Sequence, residues 1–149
     1  MSTVSTIYDA IVSKMAGLYP NYHRIANPYD IGANPEIMLK KSWGIAIGPG
    51  VNTERFVGCL SSWERTITIA FMRQVVKTEN DATGKASVEK LLLEDANTLL
   101  LDLEADPTIS GSVIKTVFAD DSGIQYVQGR ESSYLAIEIG LRVEYLQDN

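Results

Sequence analysis

Five places in the chain hold residue types able to do chemistry, and spacing argues against each. Gly48-Pro49-Gly50 is glycine-rich but lacks the GxGxxG spacing that lets a backbone approach a pyrophosphate, so it reads as a turn or loop. Thr83-Gly84-Lys85 has the ending of a phosphate loop. Yet Ala86 stands where Ser or Thr must hold magnesium, and Glu79 stands where the leading glycine belongs. His23 follows Pro20-Asn21-Tyr22 with no Ser or Cys in a nucleophile motif, and reads as a surface or packing histidine. Cys59 sits among apolar neighbours as a small buried residue, with no second Cys and no second His to build a zinc site. Asp120-Asp121 precedes Ser122-Gly123, a turn composition in which Asp hydrogen-bonds its own backbone, whereas general acid and base roles need a shielded site. The expectation is a chain with no catalytic, cofactor-binding or metal site, and no enzyme activity.

Composition narrows the partners. The 149 residues are 45% hydrophobic, enough for one domain spanning 1–149 with a substantial core. A single cysteine fits a reducing compartment. The first residues lack the basic start and continuous apolar run of a secretory signal, and no apolar stretch reaches membrane-spanning length, so a soluble protein made in the cytoplasm is expected. Nineteen acidic residues against thirteen basic ones give a net charge of −6, which opposes gripping a phosphate backbone. Arg55, Arg65, Arg73 and Arg130 are dispersed, and Trp43 and Trp63 do not alternate with basic residues as a stacking groove requires. An acidic wall past which DNA slides without sticking remains compatible with this balance, as does an ordinary solvated surface.

The elements that must position any surface follow from periodicity. Tyr134 to Leu146 alternates strictly: Leu135, Ile137, Ile139, Leu141, Val143 and Tyr145 share one side, and Glu138, Arg142 and Glu144 lie on the other. Ile7, Tyr8, Ile11, Val12, Met15, Leu18 and Tyr19 form one stripe of a helix over Thr6 to Tyr19, with Thr6 and Asp9 as its capping pair and Pro20 ending it. Residues 21–41 read as an ordered loop with turns at Asn27-Pro28 and Asn34-Pro35. A strand from Trp43 is expected to end at Gly48, with a short strand within Phe56 to Trp63 and a long one over Arg65 to Val76. After a polar loop over 77–86, Ser87 to Glu104 reads as a helix whose core arc is Val88, Leu92, Leu93, Ala96, Leu99, Leu100 and Leu103. Leu91 and Leu101 fall outside that arc, either as scattered surface leucines or as an intersubunit contact. Asp106-Pro107 stops the helix, and a three-strand meander follows over 112–118, 124–128 and 134–146, turning at 120–123 and 129–133.

In order, these elements resemble the tail terminator and tail completion proteins of long-tailed bacteriophages. The likeness is carried by the early helix, the Gly-Pro-Gly loop, the strand Arg65 to Val76, the leucine-rich helix Ser87 to Glu104 and the closing strand Tyr134 to Tyr145. It implies an α+β fold, with two helices packed on a mainly antiparallel sheet, and a homo-oligomeric ring, typically a hexamer. Such a ring caps the tail tube, stops its growth and joins the head connector without catalysing a reaction, while DNA passes through the lumen without specific binding. Under that resemblance the candidate partners are other copies of the chain, the tail tube protein and a head completion or connector protein. Leu91 and Leu101 are candidates for one subunit contact, and the loops 77–86 and 129–133, with Arg130 and Glu131, for contacts along the tube axis. Glu138, Arg142 and Glu144 become a ring lining or subunit contact where charges set register, or else plain solvent-exposed residues. A neck or head completion protein on the portal side is the neighbouring alternative. A small-molecule-binding or enzymatic α+β domain, with a pocket built from 21–41, is the alternative of a different class.

Overall fold

Strict alternation from Leu135 to Tyr145 places six inward side chains on one strand, β6 (Ser133–Asp148), and all six are buried. Its partner β3 (Leu60–Val75) runs antiparallel beside it from Leu60 opposite Asp148 to Val75 opposite Ser133, without a register shift. A slip of one residue would turn every inward side chain outward, so two long alternating patterns hold each other in place. The computed structural model describes residues 3–25, 40–55, 60–75, 82–128 and 133–148. Within them lie six strands and two helices, an α+β fold with a mixed, mostly antiparallel sheet. The sheet order is β1 (His23–Arg24), β2 (Lys41–Arg55), β3, β6, β4 (Lys115–Asp121), and β5 (Gln125–Gln128) also pairs with β6. Among the described residues, only β1 and β2 pair in parallel.

Both helices lie on one face. Helix α1 (Val4–Leu18) begins one turn earlier than the Thr6–Asp9 pair suggests. The capping box is instead Thr3 with Thr6: the Thr6 N–H donates to Thr3 Oγ1 at 3.2 Å, and the Thr3 N–H donates to Thr6 Oγ1 at 2.9 Å. Ile7, Ile11 and Met15 are its buried stripe. The second helix, α2 (Ala82–Ala105), starts within the stretch expected to be loop, while 77–81 lie outside the described residues. Its Val88, Leu92, Ala96, Leu99 and Leu103 join the α1 stripe, Ile67, Ile69 and Phe71 of β3 and the inward side of β6 in one core. Tyr19 meets Phe71 edge to face with ring centroids 5.2 Å apart. Leu93, assigned to this arc from periodicity, is instead 54% exposed. Its place is the flank of the helix, and the inward position one turn from Leu92 and Leu99 is taken by Asp95, 5% exposed.

Three further expectations are corrected. Gly48-Pro49-Gly50 does not end a strand: β2 continues through it to Arg55, with register shifts against β3 between Ile47 and Gly50 and between Asn52 and Glu54. A bulge accommodates the proline that a regular ladder would exclude. Arg65 braces it, donating from Nη1 to the Gly48 carbonyl at 2.9 Å and from Nε to Tyr145 Oη at 3.1 Å. Second, the residues expected as the first two strands of a meander do not pair with each other. β4 and β5 follow one another along the same edge of β6, the first opposite Ile139 to Glu144 and the second opposite Ser133 to Ala136. Asp120 and Asp121, expected in the turn, are still strand, and the break at Ser122-Gly123-Ile124 bends the chain without reversing it. Third, β1 interrupts the segment expected as loop, while 26–39 and 56–59 lie outside the described residues.

Candidate interaction surfaces

Three groups of side chains stand apart from the apolar core. The first ties the helices to the sheet. Arg73 occupies an inward position of β3 two residues beyond Phe71, and there it meets Asp95 of α2 with both forks of its guanidinium: Nε donates to Oδ2 at 2.8 Å and Nη2 to Oδ1 at 3.0 Å. Tyr22 donates to Asp95 Oδ1 at 2.5 Å and accepts from Arg73 Nη2 at 2.7 Å, and Tyr19 donates to the Asp95 carbonyl at 2.6 Å. The Lys41 ammonium lies 4.4 Å from the centre of the Tyr22 ring. Burial, and next the Asp95 carboxylate, push the Tyr22 phenol up to about 12, and burial with the same neighbour raises Tyr19 as well. The hydrogen bond to Asp95 holds the Arg73 guanidinium more firmly protonated against burial that works the other way. These bonds make the cluster a cross-link between α1, α2 and β3. It was legible in part: Arg73 falls, with Arg65, on the otherwise apolar inward side of β3, and Asp95 on that of α2.

A second cross-link joins the ends of the two helices. Lys14 bonds Asp102, and its Nζ also lies 3.0 Å from Asp106 Oδ2. Burial acts to lower the Lys14 pKa, but the hydrogen bonds to the two carboxylates outweigh it and leave it raised. Lys14, followed by the Ser110 N–H that donates to Asp106 at 2.8 Å, holds the Asp106 carboxyl below its ordinary value. Asp106 thereby supports a left-handed turn in which Ile109, Ser110 and Gly111 all have positive φ, with the Ile109 side chain buried. A β-branched residue in that region is strained, and the Asp106 and Thr108 bonds around it hold it there.

The third group is the surface. On α2, Leu91 is 40% and Leu101 57% exposed, and with Leu93 they place three leucines on the solvent side of one helix. At 100° per residue Leu91 and Leu101 lie about 80° apart and about 15 Å along the axis, so they do not form one patch by themselves. Between the end of α2 and β4, Leu100, Leu103, Glu104, Pro107, Thr116, Phe118 and Leu141 line an open groove of about 270 Å³. Glu138, Arg142 and Glu144 share the helix-free face of β6, where Arg142 is exposed and the two glutamates are half-buried. Arg142 Nε reaches Glu64 Oε1 on β3 at 3.9 Å, a loose surface pair. The same face is closed at its other end, where Ile25, Met72, Tyr134 and Ala136 form a small second core. Arg130 and Glu131 lie outside the described residues.

Among the described residues no group of His, Cys, Asp and Glu could hold a metal, and no helix is long and apolar enough to cross a membrane. No family model matches the chain, and no curated protein matches it.

Proposed function

We propose that the chain is a structural protein of a bacteriophage virion, a tail terminator whose copies close into a ring, typically a hexamer, on the end of the tail tube. The observation that supports assembly over solitary action is the solvent side of α2, where Leu91, Leu93 and Leu101 stand exposed beside a core that is already filled. The virion assignment rests on the resemblance in element order. In this reading the ring stops tube growth by shape, joins the tube to a head completion or connector protein, and catalyses nothing. Glu64, Glu138, Glu144 and Arg142 lie on the open part of the sheet face, a mixed and mildly acidic surface past which DNA could move without being held.

Native mass spectrometry tests the proposal. The expected species is several-fold heavier than the 16.4 kDa protomer, alone or once tail tubes are supplied. Changing Leu91 and Leu101 together to Lys should leave the melting temperature nearly unchanged and weaken the assembly. A persistent monomer in the presence of tubes, stabilised instead by a metabolite, would sink the ring and favour a small-molecule-binding domain.

A further inference from the structure

The outer face of α2 carries a pattern that reads the same in both directions. Lys90, Leu93, Asn97, Leu101 and Glu104 are all exposed, and at 100° per residue they fall within about 80° of arc, on the side of the helix turned away from Leu92, Leu99 and Leu103. Their spacings are three, four, four and three, symmetric about Asn97. If a second α2 is laid antiparallel on this seam with its Asn97 opposite the first, Leu93 meets Leu101 twice and Lys90 meets Glu104 twice. Residues three and four apart on one side of a helix are what a helix-to-helix seam uses, and a lone Asn within such a seam fixes its register. A parallel pairing would instead set Lys90 against Lys90 and Glu104 against Glu104. Charge thus selects both the occupant and its direction.

We infer that this seam is an isologous contact, and that its occupant is the α2 helix of a second copy of the chain about a two-fold axis through Asn97. The contact saturates at two copies and so cannot by itself close a ring; it takes up Leu101, which leaves Leu91 for any heterologous contact, and it does not depend on the phage reading. It gives Leu93, which the core does not use, a counterpart in Leu101.

Cysteine cross-linking and solution mass test it together. In a Cys59→Ser background, Asn97→Cys is expected to form a disulfide-linked dimer on mild oxidation. Helices about 8–10 Å apart bring on-axis Cα atoms within disulfide reach, whereas Thr98→Cys, about 100° round the helix, should not cross-link. Without cysteines, light scattering should show mass rising toward twice 16.4 kDa with concentration. Leu93→Glu, which acts at two places per dimer, should lower the association constant about a hundredfold. Lys90→Glu should weaken association and Lys90→Glu with Glu104→Lys should restore it, a rescue that a folding defect would not give. The inference is overturned by a monomer at every concentration, by an assembly that Leu93→Glu leaves intact, or by equal cross-linking at 97 and 98.

Discussion

Asp95 is the buried residue on which Arg73, Tyr19 and Tyr22 converge. Its carboxylate is paired by Arg73 and Tyr22, and its carbonyl by Tyr19, with the residue itself only 5% exposed. Removing one partner of a buried pair leaves the other charged and unmatched, a larger loss than the net worth of the pair itself. Asp95→Ala should therefore destabilise the fold by about 3 kcal/mol in urea unfolding, and a loss under about 0.5 kcal/mol would show that Arg73 finds solvent instead. The Lys14 pair makes a different statement, read in pH. Asp106 is held below its ordinary 3.8, so its contribution is present above that value and drains away as pH falls through the lower folded one. Lys14 is raised above 10.5, so its contribution is complete below that pH and is lost as pH rises beyond it. Melting temperature followed against pH should fall at both extremes, and Lys14→Met should flatten both limbs. Unchanged limbs would assign the pH dependence to other groups.

Among the elements, β2 shows what its partner imposes on it. Its bulge brings the backbone of Gly48 against β3 so closely that an added Cβ would sit 2.9 Å from the Thr66 carbonyl oxygen. Backbone cannot yield as a side-chain tip can. Gly48→Ala is expected to cost about 1–3 kcal/mol by denaturant titration, and a neutral result would mean that the bulge is free to shift. The continuous line of β4 and β5 along β6 has a comparable cause. Its pairing slips by one residue between Phe118 and Asp120, and again across the break before Gln125, so Phe118 and Tyr126 both face the helix side. Neither is fully covered, at 44% and 53% exposure: α2 faces Phe118 only across the groove, and over the Tyr126 ring it places just the Lys85 ammonium, 5.5 Å from the ring centre.

For the molecule as a whole, β3 and β6 lie inside the sheet, and the longest unbroken ladder lies between them. Hydrogen exchange should be slowest in Ile67 to Phe71 and Ile137 to Leu141 and fastest in β1 and β5, which are short and flank the sheet. Slow exchange in β5 comparable to that in β6 would point to a further strand or subunit laid along that edge. Such an outcome would bear on assembly as directly as the mass measurements.

Alternation and helical spacing by themselves determined the presence of both helices and strands, the buried sides of β3 and β6, the stripe of α1 and most of that of α2. Each of these depends only on which neighbours in sequence share a face. Chain contacts decided the rest. Leu93 is exposed because α2 turns Asp95 toward Arg73, and the Gly-Pro-Gly bulge survives inside β2 because Arg65 reaches it from β3. The expected meander became a single interrupted edge strand because both of its halves find their partner in β6. Lys90, Asn97 and Glu104 read as ordinary polar helix positions until the tertiary structure shows which side of α2 the core leaves open. Only then does their symmetry about Asn97 mean a partner, because a pattern in sequence becomes a surface once packing has used up the other faces.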